Sequence, residues 1–180
     1  TVQGMGKSTF CRMLLPKVLR QYFTESFDLI NITSAENKLA SYGLINLDEF
    51  DRLPATRMPL LKNLMQMSAL NIRKAYQQNF RQLPRVASFI GTSNRFDLLT
   101  DPTGSRRFLC VEVQSKINCE GIEHDQIYAQ LKNELQKGER HWFTSAKEEA
   151  IMRSNEAFYK RPIEEDVFHA CFRAACPGNL

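Results

Sequence analysis

The sequence predicts an α/β fold, a parallel sheet flanked by helices and followed by a small helical layer, on three observations. Gln3-Gly4-Met5-Gly6-Lys7-Ser8-Thr9 is a glycine-rich loop that opens a helix. Leu44-Ile45-Asn46-Leu47 is an apolar strand ended by two carboxylates, Asp48 and Glu49. Short β-prone runs alternate with helical stretches, the order from which crossover connections build a parallel sheet.

The elements follow in chain order. A first helix starts at Lys7, carries Phe10, Met13 and Leu14, and stops near Pro16, which cannot donate the backbone hydrogen bond a helix needs. Phe27 to Ile32 alternates like a strand, and Ser34-Ala35-Glu36-Asn37 reads as a helix start. Leu44–Leu47 is the second strand. Leu60 to Ile72 places Leu60, Leu61, Leu64, Met65 and Leu70 at helical spacing. Val86 to Gly91 is a third strand, running into Thr92-Ser93-Asn94, and Phe108 to Val113 a fourth. Three helical stretches close the chain: Ile122 to Gln136, Ser145 to Tyr159 and Glu164 to Ala174. Residues 1–120 are expected to form the core and 121–180 a helical region packed on it. Thr1 is no initiator methionine, and a strand is expected just upstream of the glycine-rich loop, so the sequence reads as part of a longer chain with its first strand missing.

With 43% hydrophobic residues in 180, the chain can bury a sizeable core. No apolar run approaches the ~18 residues of a spanning helix, so no membrane partner is expected. Five scattered cysteines, with no Cys-x-x-Cys, predict buried free thiols in a reducing cytoplasm. Charge is segregated. Between Arg52 and Asn94 there is no Asp or Glu, whereas Glu112 to Asp166 holds twelve acidic residues against eight basic. A cationic middle suggests a face for a polyanion, with a solvated surface as the plain alternative. Within it, Arg73, Lys74, Tyr76, Arg81 and Arg85 form a basic, amide-rich, aromatic segment. That composition suits a nucleic-acid backbone and a stacked base, and equally an ordinary surface hairpin.

The chemistry-bearing residues point to phosphate. Glycines let consecutive N–H groups of residues 3–9 face phosphate oxygens, and the helix N-terminus adds partial positive charge. Lys7 would reach the outer phosphates and the Ser8 hydroxyl would ligate magnesium. The full phosphate-loop (P-loop) pattern wants a glycine where Thr1 stands, a departure. Asp48 would hold the magnesium and Glu49 would polarise an attacking water, a pairing that implies ATP and Mg2+. Asn94, at a strand end, fits a sensor of the terminal phosphate. Arg106 and Arg107, just before a strand, fit an arginine supplied to a neighbouring subunit's nucleotide, a group worth ~10³ or more in rate. Structural pairing of one arginine and turn-capping by Asn94 are the plain alternatives.

These stretches together resemble the virulence-associated protein E family, primase-helicase-like ATPases of phages and mobile elements related to superfamily 3 helicases and AAA+ ATPases. The blocks that carry the likeness are Gln3–Phe10, Ile45–Phe50, Phe89–Asn94, Thr103–Phe108, Asp125–Gln130 and Gly138–Thr144, covering roughly residues 1–160. The resemblance implies a P-loop NTPase fold with an AAA+-like sheet, a sensor at Asn94, a finger at Arg106 or Arg107, and a helical layer packing through Tyr128 and Trp142. It implies an ATP-driven motor acting on single-stranded or duplex DNA as a ring, possibly a hexamer. A nucleotide-gated switch or scaffold, and more remotely a small-molecule kinase, stay open beside it.

Overall fold

A computed structural model describes residues 4–72, 79–99, 102–140, 142–160 and 163–172. The elements on which the site rests are helix α1 (Lys7–Met13), strand β1 (Phe23–Thr24), helix α2 (Ile32–Ser41), strand β2 (Leu44–Leu47) and helix α3 (Met58–Gln66). Strands β3 (Ala69–Ile72), β4 (Arg81–Pro84) and β5 (Ser88–Gly91) follow, then helices α4 (His124–Gln136), α5 (Ser145–Ser154) and α6 (Ile163–Cys171).

The architecture is α/β. Strands β1, β2 and β5 form a three-stranded sheet in the order β1-β2-β5, all parallel. The register pairs Leu44 with Ser88 and Leu47 with Gly91, so β2 and β5 end level with each other. The carboxyl ends of parallel strands share one edge of a sheet, and that is where ligands of open α/β folds bind. Ile45 faces the main core, where Leu39, Leu61, Leu64 and Leu70 are also fully buried. The two-residue period of a strand turns Asn46 the opposite way. There its Nδ2 reaches Glu25 Oε1 at 3.3 Å, and Glu25 Oε2 takes Arg12 Nη2 of α1 at 2.8 Å.

Several expectations are corrected. Phe27–Ile32 is not a strand: Asp28 Oδ1 accepts from Ile30 N at 2.8 Å and Asn31 Oδ1 from Ser34 N at 3.0 Å. These short polar side chains bend the backbone and cap α2, and the strand falls earlier, at Phe23–Thr24. The helix expected over Leu60–Ile72 ends at Gln66. Leu70 and Ile72 are then buried by strand alternation in a β3–β4 hairpin, with Leu70 opposite Leu83 and Ile72 opposite Arg81. Phe108–Val113 finds no ladder partner among the described residues, and Leu109 and Val111 are exposed.

Three helices do follow the sheet, as expected, α4, α5 and α6. Their packing differs from what the resemblance implies: Tyr128 and Trp142 are exposed, and α4 buries no residue. The region is tied on by main-chain bonds instead. Leu99 N donates to Phe158 O at 2.9 Å and Lys160 N to Leu99 O at 2.8 Å. His124 Nε2 lies 2.8 Å from Met13 O, so that ring nitrogen is the donor. Among the described residues no helix is long and apolar enough to cross a membrane. Cys11, Cys110, Cys119 and Cys171 are free, but only Cys11 is buried.

Candidate functional site

The loop before α1 follows from its glycines. Gly4 and Gly6 have φ of 80° and 85°, a conformation L side chains rarely adopt. A Cβ on Gly6 would also sit 3.4 Å from Ile117 O, because the 117–119 segment backs the loop and Ile117 N donates to Met5 O at 2.9 Å. Gly6 is the N-cap of α1 and offers no side chain to the first turn. The first N–H groups of a helix lack partners within the helix itself, and such an end favours an anion. Met5 and Gly6 are half-buried and Thr9 is exposed; Gln3 lies outside the described residues.

Residues far apart in sequence meet at this loop. Ser8 Oγ donates to Asp48 Oδ1 at 2.8 Å, across 40 positions. Lys7 Nζ donates to Ser93 O at 2.7 Å and to Asn94 Oδ1 at 2.9 Å, the latter across 87 positions. Thr92 Oγ1 donates to the same oxygen of Asp48. These two hydroxyls, Thr92 first and Ser8 second, hold the Asp48 carboxyl below its ordinary range and keep it ionised. Ser93 Oγ donates to Asp51 Oδ1 at 2.8 Å, and Phe50 N donates to Thr92 O at 2.8 Å. The ends of β2 and β5 are thus stitched together beneath the loop.

Glu49 adopts φ 51°, the left-handed region, and is the lone non-glycine residue to do so among those described. Such strain concentrates where surrounding contacts over-determine the backbone, often at functional sites. Its carboxylate pairs with Arg52 Nη1 at 2.7 Å. Next to it, the Phe50 ring lies 5.7 Å from that of Phe108, which brings the arginine turn Pro102–Arg107 beside β2. Arg106 reaches Glu148 Oε2 at 3.6 Å, while the Arg107 Nε atom is buried with no hydrogen-bond partner among the described residues. Among the described residues neither arginine hydrogen-bonds or ion-pairs with the Lys7–Asp48 cluster.

The residues fit a magnesium–phosphate group by donor chemistry. A hydroxyl and an ionised carboxylate stand 2.8 Å apart, both hard oxygen ligands, beside a lysine at the start of a helix. The basic segment divides. Arg73, Lys74 and Tyr76 lie outside the described residues. Arg81 is exposed on β4. Arg85 is committed to backbone, donating from Nε to Met67 O at 2.7 Å and from Nη1 to Ala87 O.

The family model of the virulence-associated protein E-like domain matches residues 1–160. The chain belongs to that family. A comparison with curated proteins finds no match. The virulence-associated protein E-like domain therefore includes the loop, both strand ends and the arginine turn. Sequence reading missed Thr92 and Asp51, whose signal was only a small polar residue or a carboxylate near a strand end.

Proposed function

We propose that this virulence-associated protein E-like domain is the ATP-binding and ATP-hydrolysing core of a DNA motor, built on a P-loop NTPase sheet of the AAA+ kind. The observation that carries the reading is the meeting of Lys7, Ser8, Asp48 and Asn94 at one sheet edge. Structural pairing alone would not require a lysine, a hydroxyl and a carboxylate to converge on the N-terminus of a helix.

The loop amides of Gly4 to Thr9 and Lys7 bind and orient the phosphates. Ser8 and Asp48 would hold magnesium, which when bound neutralises charge on the phosphate oxygens. Glu49 takes a proton from the attacking water, since its carboxylate need only exchange Arg52 for that water. Asn94 senses the terminal phosphate and exchanges its bond to Lys7 for one to substrate. Arg106 or Arg107 serves a neighbouring subunit's nucleotide, which makes the active form a ring, possibly a hexamer. Two features support this: among the described residues neither arginine hydrogen-bonds or ion-pairs with its own chain's cluster, and the Arg106 side chain is half exposed. For DNA, single-stranded or duplex, the support is the exposed Arg81 and the exposed ring of Phe80 on the β3–β4 hairpin.

The test is steady-state ATP hydrolysis with and without single-stranded DNA, alongside Glu49→Gln and Arg81→Ala. DNA-stimulated turnover that Glu49→Gln abolishes, with the stimulation weakened by Arg81→Ala, is expected. Turnover indifferent to DNA would replace the motor with a nucleotide-gated switch.

A further inference from the structure

We infer that Asn155 is the positioning residue of the arginine turn, setting where Arg106 stands from within the helical region. The inference rests on the finger role proposed above. Asn155 lies just after α5 and is fully buried. Its Nδ2 donates to Ser105 O at 3.1 Å and to Phe108 O at 2.8 Å, and its Oδ1 accepts from Cys110 N at 3.3 Å. One carboxamide therefore satisfies three backbone groups that bracket Arg106 and Arg107. Only an amide side chain offers donors and an acceptor together at this length. A carboxylate would face two carbonyl oxygens, and an apolar residue would take this partner from Phe108 O and Cys110 N.

The grip extends along the chain. Tyr159 Oη donates to Ser105 Oγ, and Ser105 is itself buried. Leu98 N and Leu99 N both donate to Phe158 O at 2.9 Å. Residues 155–160 thus hold the backbone on both sides of the turn. The arginines then differ. Arg107 has a buried Nε, so its side chain is rooted in the packing. Arg106 is half exposed, and its pairing with Glu148 at 3.6 Å is too long for a hydrogen bond. A half-exposed ion pair of that length is weak enough to exchange for a phosphate. Arg106 is the one presented outward, and Asn155 fixes its base.

The experiment measures ATP turnover and ATP affinity for Arg106→Ala, Asn155→Ala, the double variant, and the milder Tyr159→Phe, which deletes one hydroxyl. Misplacing a catalytic group by about 1 Å costs on the order of 10²-fold. Asn155→Ala is expected to lose turnover on that scale with unchanged ATP affinity, and the double variant to be no slower than Arg106→Ala. Tyr159→Phe should show the same pattern more weakly. Mixing Asn155→Ala with Lys7→Ala subunits should restore activity above either alone, since one supplies an intact phosphate loop and the other an intact arginine turn. A merely structural role gives neither non-additivity nor rescue. Slow Arg106→Ala with normal Asn155→Ala, an additive double variant, or mixtures that stay inactive would overturn the inference alone. Normal turnover in both Arg106→Ala and Arg107→Ala would instead overturn the finger role, and the positioning role with it.

Discussion

Raising the pH above 9 should destabilise the protein through one thiol beneath the glycine-rich loop. Cys11 lies on α1, one turn after Lys7, and is 3% exposed. Burial first, and the Asp48 carboxylate second, push its pKa from 9.0 to about 11. Below pH 9 the thiol is neutral in both folded and unfolded chains and contributes no pH dependence. Between those values the unfolded chain releases the proton and the folded chain keeps it. The unfolded state then binds fewer protons, so stability falls as pH rises, by about 1.4 kcal/mol per pH unit. Across the whole interval the loss is about 2–3 kcal/mol, and it levels off once the folded thiol also ionises. The assay is urea unfolding from about pH 8 to about pH 11, comparing the protein with Cys11→Ala so that other titrating groups cancel. The variant should lose the extra alkaline slope. Asp48→Asn should keep the slope but shorten its range, because one of the two main causes of the shift is gone. Parallel curves for protein and Cys11→Ala would refute the reasoning, and with it the packing of α1 against the end of β2.

Other perturbations test separate contacts. Leu39→Ala, at a fully buried position of α2, should cost about 2–5 kcal/mol in a urea titration. Arg85→Ala should cost about 1–3 kcal/mol by leaving Met67 O and Ala87 O short of a donor, yet weaken DNA binding less than Arg81→Ala in a filter-binding assay. Asp48 has a depressed pKa, so its contribution is present above the ordinary carboxylate value of 3.8 and lost as pH falls through the lower folded value. The stability gap between the protein and Asp48→Asn should therefore be widest at neutral pH and close in strong acid, as followed by circular dichroism.

What the sequence made legible was local chemistry. Gly4 and Gly6 before Lys7, and the apolar run ending at Asp48, announce themselves because glycine conformation and strand period act over a few residues. The strand at Phe23–Thr24 stayed hidden because it is two residues long, while Phe27–Ile32 alternated convincingly and lost to the side chains of Asp28 and Asn31. Leu70 and Ile72 fit a helix as well as a strand until the hairpin with β4 decided between them. The fourth expected strand, Phe108–Val113, has the right composition, but residues 105–110 answer to Asn155 rather than to a neighbouring strand. At the site, the sequence supplied the residues but not their arrangement. That Thr92 rather than Ser93 reaches Asp48, or that Lys7 meets Asn94, depends on the level ends of β2 and β5. No pattern along the chain marks Asn155, whose partners lie 45 to 50 residues before it.

If Gly4–Thr9, Asp48 and Asn94 form one magnesium-dependent phosphate site, ATP and magnesium bind there together. Calorimetric titration of ATP into the protein, with magnesium and with a chelator, tests it most directly, beside Lys7→Ala and Asp48→Asn. Saturable binding is expected, which Lys7→Ala abolishes, the chelator weakens, and Asp48→Asn makes insensitive to magnesium. Binding that survives Lys7→Ala, or no binding by the intact protein, would contradict it.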